Sequence, residues 1–452
     1  MCIPNISKVA ILALSVTSFF SCKPPAPVIE ESKTNFVIVV INGLRADRLG
    51  ASGYEEATSP NLNSLAKEGY VFDHAYANSS YGRESLSSLI AGTLPCVGNH
   101  IGFEAAPAAS ANTLVKTFKN YGYSTGLFWG DDTIDSYDFE SEYDEVHPVR
   151  DDYDTGLHES FSSFLTDKGT TGLIAHIQLG LSKESVEVIR NQAALGETNR
   201  NTAYDSAVSE LDTLVGEITR AISEAGMSEN TVVVVTSAHG LELEERGSVG
   251  FGRTLYNESI RVPLIFWAPG RIREGTDSRP VSLVDVLPSL RELAGQSAKP
   301  TVTSGESLFV RHNRQWEATA PTKRPVYAEL MISGGNMIRS VVIDDWKYIG
   351  VNRAADLPNP KNWEEQTGDM EIPSAGIWGK PLYEELYNLA SDPFEKTNLI
   401  GDETRSLRVF RKVLYAYRFE FGGNEAFESD VEDKSSIDSE MTREQLESLG
   451  YL

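Results

Sequence analysis

The chain has 452 residues and a hydrophobic content of 40%, so it is long enough to bury a large core and lacks the composition of a disordered protein. Its 65 Asp and Glu residues outnumber its 40 Lys and Arg residues, which gives a formal net charge of -25 at pH 7. An acidic chain repels phosphate backbones, so this charge argues against a nucleic acid as a partner.

The first 22 residues have the pattern of a signal peptide. Lys8 precedes an apolar stretch, Val9 to Phe20, that is too short to span a bilayer, and Ser21 then precedes Cys22. A small residue before cysteine resembles a bacterial lipoprotein box, so we expect lipidation of Cys22. Phe19 stands where such boxes usually have leucine, so a plain signal peptide or an uncleaved anchor is the alternative.

Residues 23–34 contain three prolines and predict an extended tether. The chain is therefore expected in a bacterial cell envelope, as a periplasmic or outer-membrane lipoprotein that meets the membrane through its lipid anchor only. Cys2 would leave with the signal and Cys22 would carry lipid, so Cys96 has no internal partner and no disulfide framework is predicted.

The folded part is predicted to begin with a strand buried on both faces, Asn35 to Ile41, and a polar loop from Asn42 to Gly50. A helix should follow, with Ser59 as its N-cap, Pro60 in its first turn and Gly69 as its end.

A second helix is expected after Gly82, with Ser85 in its first turn satisfying backbone donors. Its N-terminus beside Arg83 has the chemistry to hold an oxyanion. Ser80, Tyr81 and Ser85 carry hydroxyls that could serve as nucleophiles if a base or a metal activated them.

The middle of the chain alternates helices and strands. Helices are predicted over Thr113 to Lys119 and Tyr204 to Glu224, and strands over Ser124 to Trp129 and from Leu173 onward. The acidic stretch between residues 131 and 154 is interpreted as a solvated loop rather than a cation site. His176, inside an apolar strand, is interpreted as a core histidine with its hydrogen bonds satisfied.

The run from Thr231 to Gly240, TVVVVTSAHG, predicts a strand covered by helices on both faces. In open α/β sheets, ligands bind beyond the carboxyl ends of the strands, so the polar turn that contains Ala238 and His239 should lie at a site. A further buried strand is predicted over Val262 to Trp267.

The C-terminal third predicts a smaller antiparallel sheet. Its strands fall over Val326 to Glu329, Met337 to Ile343 and Trp346 to Ile349, after a Pro- and Ser-containing boundary near residues 296–304. The tail from Glu420 is acidic and ends in a short helix.

The stretch from Thr231 to Gly270, which contains TSAHG, GFGRTLY and RVPLI, resembles the sulfatase family of the alkaline phosphatase superfamily. NGLRADRLG from Asn42 and ELYNLASDPFE from Glu385 resemble two further motifs of that family. The resemblance implies an α/β fold with a large, mostly parallel sheet flanked by helices and a smaller C-terminal α+β subdomain. The implied domains are a signal peptide (1–22), a tether (23–34), a sulfatase-like domain (35–300), an antiparallel-sheet subdomain (301–420) and an acidic tail (421–452).

The resemblance fails where the family keeps charges or its nucleophile. Two aspartates and the Asp of DHG hold a divalent cation such as calcium in the family, and a Cys or Ser is converted to formylglycine. Other family positions contact the sulfate or belong to the motif that is modified. Together, the positions of this chain that match these family sites and differ from them are Asn42, Gly43, Gly82, Leu86, Leu181, Ala238 and Phe251. An amide oxygen is a poor substitute for two carboxylates, so no metal or other cofactor is expected.

The first hypothesis is therefore an inactive pseudoenzyme in which Arg83, His239 and Arg253 bind a sulfated or phosphorylated ligand, a glycan or an envelope protein. The first alternative is an active sulfuric or phosphoric ester hydrolase with a displaced nucleophile or a relocated metal. The second alternative is a purely structural envelope protein whose pocket is filled by side chains such as Phe251.

Overall fold

A computed structural model of the chain describes residues 33–98, 112–129, 138–148, 156–169, 172–191, 197–296, 303–313, 315–319, 324–332, 336–353, 381–401, 406–411 and 413–414. The predicted signal peptide, Cys22, most of the tether, most of the acidic stretch after residue 130 and the acidic tail lie outside the described residues. No helix of the described part is both long and apolar enough to cross a membrane.

The strands form where the sequence is rich in β-branched and aromatic residues. They are β1 (Asn35–Asn42), β2 (Tyr70–Phe72), β3 (Ala75–Tyr76), β4 (Ser124–Trp129), β5 (Glu145–Pro148), β6 (Leu173–Gly180), β7 (Thr231–Thr236), β8 (Glu242–Leu243), β9 (Val249–Gly250), β10 (Arg261–Val262), β11 (Leu264–Trp267), β12 (Gly275–Asp277), β13 (Val281–Ser282), β14 (Phe309–His312), β15 (Gln315–Ala318), β16 (Val326–Ile332), β17 (Asn336–Ile343), β18 (Trp346–Arg353) and β19 (Tyr383–Asn388).

The four helices predicted before the acidic tail are present, together with others, and the one predicted from Tyr204 begins earlier, at Glu197. They are α1 (Pro60–Glu68), α2 (Gly82–Ala91), α3 (Leu114–Asn120), α4 (Gly156–Lys168), α5 (Lys183–Asn191), α6 (Glu197–Glu224), α7 (Asn257–Ile260) and α8 (Val286–Leu293).

Eight strands form the main sheet, in the order β12-β2-β11-β7-β1-β6-β4-β5. β1 is parallel to both of its neighbours, β6 and β7, and β11 is the one antiparallel member, so the sheet is mostly parallel as predicted. The register pairs Val40 with Thr236 and Asn42 with Gly180. The carboxyl ends of the three central strands therefore lie level, and the loops that follow them meet at one edge of the sheet.

Alternate residues of β1 point into two separate cores. Phe36, Ile38 and Val40 pack with α2, α3 and α8, whereas Val37, Val39 and Ile41 pack with α1, α4 and α6. Every residue of β1 and β7 is buried. Since complete burial of one such side chain contributes about 1.5–3 kcal/mol, the burial of these two strands contributes strongly to the stability of the fold.

Two local predictions need correction. The predicted strand over Val262 to Trp267 is interrupted at Pro263, which lacks a backbone N–H: β10 pairs with β3, and β11 pairs with β7. Ser59 stands at the predicted N-cap, but its side chain makes no capping bond; its Oγ accepts a hydrogen bond from the backbone N–H of Gly50 at 3.2 Å.

The smaller sheet is antiparallel, in the order β16-β17-β18-β19, and β14 and β15 form a separate hairpin. The three predicted runs fall within β16, β17 and β18, and the ELYN segment is β19. Apolar residues of β16 and β17, among them Leu330 and Ile338, join the same core as α2 and α8. This contact brings the small sheet to the α2 side of the main sheet.

Candidate functional site

A cavity of about 450 Å³ lies at the carboxyl ends of the central strands, where the site was predicted. Its wall combines the loops after β1, β6 and β7 with α5 and β9. The lining residues are Asn42, Gly43, Leu181, Val186, Glu187, Ile189, Arg190, His239, Leu241, Val249, Gly250 and Phe251. Five of the residues singled out from the sequence therefore share this cavity: Asn42, Gly43, Leu181, His239 and Phe251.

Hydrogen bonds hold the loop after β1 against the loop after β7. The N–H of Gly43 donates to the carbonyl of His239 at 3.0 Å, and the N–H of Leu44 donates to Oγ of Ser237 at 3.2 Å. The hydroxyl of Tyr204, on α6, donates to the carbonyl of Gly43 at 2.7 Å. These hydrogen bonds thus hold the loops after β1 and β7 in place beside the cavity.

Asp47 is part of a structural ion pair rather than of the cavity. Nε and Nη2 of Arg45 donate to its two carboxylate oxygens at 2.9 and 2.8 Å. Burial alone would raise the pKa of Asp47, but the charge and hydrogen bonds of Arg45 hold that pKa below its usual value. The same guanidinium donates to the carbonyl of Leu241 at 3.0 Å, so the pair braces two loops.

A chain of buried side chains runs from the core to the cavity. Tyr143 and His176 are joined at 2.7 Å, His176 and Gln178 at 3.1 Å, and Nε2 of Gln178 donates to Oδ1 of Asn42 at 3.0 Å. Burial lowers the pKa of His176 to about 4, so this histidine is neutral at pH 7. His176 therefore has its hydrogen bonds satisfied inside the core. Sequence reasoning missed Gln178, although it stands two residues further along the same face of β6.

The side chains at the family's cation position do not suit a divalent cation. Oδ1 of Asn42 already accepts a hydrogen bond from Gln178, and Gly43 and Ala238 offer no side-chain oxygen. Leu181 occupies the neighbouring space, because its Cδ1 would lie 3.2 Å from a Cβ placed on Gly43. Ala238 is buried in the opposite core with Leu86. A calcium site needs about six to eight oxygens, which these residues cannot supply.

The position of the family nucleophile, Gly82, is the first residue of α2. Ser80 and Ser85 are completely buried close to it, and within the described part of the chain neither Oγ has a hydrogen-bond partner. The expectation that Ser85 satisfies backbone donors is therefore wrong. Oγ of Ser79 instead accepts from the N–H of Tyr81 at 3.1 Å and donates to the buried carboxylate of Glu84 at 2.6 Å. Sequence reasoning missed this serine and glutamate pair.

The loop after β9 connects the cavity to the start of α2. The rings of His239 and Phe251 lie 4.5 Å apart at an angle of 33°. A Cβ on Gly252 would lie 3.1 Å from Cδ2 of Tyr81, so the loop touches the residue before α2. Arg253 is exposed next to this contact and makes no hydrogen bond or ion pair with any described residue. Arg253 and Arg83 are therefore the cations nearest in sequence to the contact between this loop and α2.

Known proteins resemble the chain, some over about half of its length and some over most of it. Ulvan-active sulfatase of Formosa agariphila is 22% identical over 93% of this chain and 92% of its own. Arylsulfatase K of Gallus gallus is 26% identical over 47% of this chain, and the match spans only about a third of that relative, 35%. A solved 2-O GAG sulfatase superposes with a TM-score of 0.70 at 20% identity and covers 86% of this chain and 92% of its own.

The family model named Sulfatase matches residues 34–296, which is more than half of the 452-residue chain. The matched region contains β1, β6, β7, the cavity and the start of α2. The protein is thus a member of the sulfatase family of the alkaline phosphatase superfamily.

Proposed function

We propose that this protein is a sulfatase-family member that binds an oxyanion without hydrolysing its ester. The single observation that carries the proposal is the packing of Leu181 against Gly43. Cδ1 of Leu181 lies 3.2 Å from the position that a Cβ on Gly43 would take, which leaves little room there for a carboxylate side chain. Ester hydrolysis by the family's chemistry needs a nucleophile and a positive charge on the developing oxyanion. Loss of one preorganised electrostatic group typically costs about a hundred- to a thousandfold in rate, and here Gly82 also lacks an attacking atom.

The start of α2 keeps the features of an anion site. The first backbone N–H groups of a helix have no partner within the helix, and its dipole favours negative charge there. The hydroxyls of Ser80 and Ser85 are buried without a partner among the described residues, at a cost of about 1–3 kcal/mol each. A sulfate or phosphate ester bound beside Arg83 would accept hydrogen bonds from these groups.

The cellular role belongs to the same proposal. The protein would be exported, lipidated at Cys22 and held in the bacterial envelope, where it would bind a sulfated or phosphorylated glycan or an envelope protein that carries such a group. We propose no cofactor for it. Elemental analysis of protein purified with calcium and magnesium should find no stoichiometric metal, and one tightly held ion per chain would contradict the proposal.

Turnover is the direct test of inactivity. The full chain should release no 4-nitrophenol from 4-nitrophenyl sulfate or 4-nitrophenyl phosphate above the rate of a preparation denatured by heat. A rate that saturates with substrate and scales with protein concentration would contradict the proposal.

Binding is tested separately, with heparin-derived disaccharides and inorganic sulfate as the probes in thermal unfolding. A sulfated probe should raise the unfolding temperature, and Ser85→Ala and Arg253→Ala should each reduce that rise. Arg220→Ala is the matched control, because Arg220 is an exposed arginine on α6 with a side chain 57% accessible. Without any probe, Ser85→Ala should leave stability unchanged or raise it, since it removes a hydroxyl that is buried without a partner.

The second candidate function is an ester hydrolase with a displaced serine nucleophile. The partnerless hydroxyls of Ser80 and Ser85 are the observation in its favour. Neither hydroxyl is hydrogen-bonded to a base among the described residues, and an unactivated serine is a weak nucleophile. Mass spectrometry after treatment with a fluorophosphonate decides between the two functions: a covalent adduct on either serine would favour hydrolysis. A purely structural role would follow if neither turnover nor any probe-induced stabilisation were found.

A further inference from the structure

We propose that the cavity at the strand ends binds a neutral aromatic small molecule. The cavity holds about 450 Å³, inside the range of about 300–1,000 Å³ that is typical of small-molecule sites. Such sites are mostly apolar with a few polar groups. Leu181, Val186, Ile189, Leu241, Val249 and Phe251 form the apolar part of the wall.

The shape of the wall favours a flat ring. His239 and Phe251 present two tilted rings whose centroids are 4.5 Å apart. Aromatic rings prefer offset or edge contacts with centroids about 4.5–7 Å apart, so a third ring placed between these residues and the aliphatic wall would gain several such contacts. Nδ1 of His239 donates to the carbonyl of Gly240 at 2.7 Å, which fixes the orientation of the imidazole.

The charge of the wall favours a neutral molecule. The lining contains one acidic side chain, Glu187, and one basic side chain, Arg190. Both are on α5, and both are exposed. An anion that entered the cavity would lose its hydration without meeting a buried cation of the lining, which is costly.

The cavity wall and the anion-binding residues at the start of α2 are different sets of residues. Ser80, Ser85, Arg83 and Arg253 do not line the cavity. The two sites can therefore fail independently: a variant of Arg253 should weaken a sulfated ligand and leave a neutral aromatic ligand unaffected.

The probe is 2-naphthol, titrated into the full chain by isothermal calorimetry, with 2-naphthyl sulfate as its charged counterpart. One molecule of 2-naphthol should bind per chain. In the Arg253→Ala variant, in which the proposed sulfate site is weakened, 2-naphthol should bind at least about tenfold more tightly than the sulfate ester, because only the ester must desolvate a charge. Absence of saturable binding up to the solubility limit of 2-naphthol, or tighter binding of the ester to the Arg253→Ala variant, would overturn the proposal.

Two substitutions on α5 locate the binding site. Val186 is partly buried in the wall, whereas Val188 is 37% exposed and outside the lining. Val186→Glu should weaken 2-naphthol at least about tenfold by placing a charge in the cavity, and Val188→Glu should change the affinity less than about twofold.

If Val186→Glu unfolds, Phe251→Ala serves instead. It should weaken 2-naphthol about tenfold through the loss of an apolar ring from the wall. Wild-type affinity in a folded Val186→Glu variant, or in Phe251→Ala, would place the ligand elsewhere and overturn the proposal. Arg253→Ala should bind 2-naphthol as the wild type does.

Discussion

The strand-end cavity and the junction between the two sheets differ in the charged side chains that they contain. Along the cavity, positions that carry charged ligands in the family hold Asn42, Gly43 and Leu181. At the junction, Lys347 of β18 and Glu395 both have side chains with 0% exposure, and they lie 2.7 Å apart. The chain thus lacks the family's charged ligands at the carboxyl ends of its strands, but it has fully buried charged side chains where its two sheets meet.

The junction charges are completed by partners from α7 and from the segment between β8 and β9. Nζ of Lys347 donates to Oδ1 of Asn257 at 3.0 Å, and the N–H of Asn257 donates to Glu395 at 2.6 Å. Arg246 pairs with Glu258 at 3.0 Å, and its guanidinium lies 3.8 Å from the ring centroid of Tyr256. Burial lowers the pKa of Lys347 and raises that of Glu395, and their mutual attraction only partly offsets these two shifts.

The difference teaches when a buried charge can be kept. A buried charge is tolerated where protein groups of opposite sign complete it, and it is costly where they do not. Carboxylates at the cavity would need a cation to offset their mutual repulsion. Gly, Ala and Leu at these positions carry no charge and so avoid that repulsion.

The largest effect should come from breaking the junction. Lys347→Met leaves Glu395 buried without its cation, so we expect the free energy of unfolding to fall by about 3–5 kcal/mol. Urea unfolding followed by circular dichroism measures this loss. Arg411→Ala is the control, because it removes the ion-pair partner of Glu384. The side chain of Arg411 is 44% exposed, so this substitution should lower the free energy of unfolding by about 1 kcal/mol or less. Equal losses in the two variants would remove the distinction between the junction and an ordinary surface pair.

The second effect is a pH dependence at the junction. Burial raises the pKa of Glu385 from 4.5 to about 7, and hydrogen bonds from Tyr256 and Tyr383 only partly offset this. The folded state therefore binds a proton more tightly than the unfolded state. The stabilisation from this proton is fully present below pH 4.5 and is lost as the pH rises through 7. Tyr387, through a hydrogen bond, and Glu395, through its charge, also act on this carboxyl.

Glu385→Gln keeps the size of the side chain and removes the titration. The stability of the wild type relative to this variant should fall by about 2–3 kcal/mol between pH 4.5 and pH 7. Urea unfolding at several pH values provides the comparison, with Glu224→Gln on the exposed face of α6 as a control that should show no such trend. Parallel curves for wild type and Glu385→Gln would contradict the expectation.

The third effect tests the cavity itself. Gly43 has a φ of 83°, and an added Cβ would lie 3.2 Å from Cδ1 of Leu181. Gly43→Ala should therefore destabilise the protein by about 1–3 kcal/mol through backbone strain and crowding. Gly156→Ala, at the exposed start of α4 with nothing within 4 Å of the added Cβ, should change stability by less than about 0.5 kcal/mol. If Gly43→Ala left the free energy of unfolding unchanged, the loop after β1 would have to rearrange around the added methyl group.

The smallest effect should follow from restoring a family residue in the cavity. Phe251 is only partly buried, so Phe251→His should change the free energy of unfolding by less than about 1 kcal/mol. It should also leave calcium binding absent, since Asn42, Gly43 and Ala238 are unchanged. A loss above about 2 kcal/mol in thermal or urea unfolding would show that the cavity depends on packing as strongly as the junction depends on charge.

Much of the secondary structure follows from local pattern. The predicted strand over Ser124–Trp129 is β4 residue for residue, and α3 lies within one residue of its prediction, because periodicity and turn residues act over a few positions. α6 begins at Glu197, seven residues before the predicted start at Tyr204. The apolar stripe that predicted it begins at Tyr204, so the residues before it carried no such signal.

The sequence by itself determined the family and the substituted positions, since both are read from residue identity in a fixed order. Only the tertiary structure decided which of those positions meet. The parallel register of β1, β6 and β7 brings Asn42, Gly43 and Leu181 to one cavity with His239 and Phe251. Ala238, one residue from His239, turns into the opposite core. Contacts between residues far apart in the chain, and the face on which a side chain emerges beyond a strand, depend on strand pairing that no local pattern specifies.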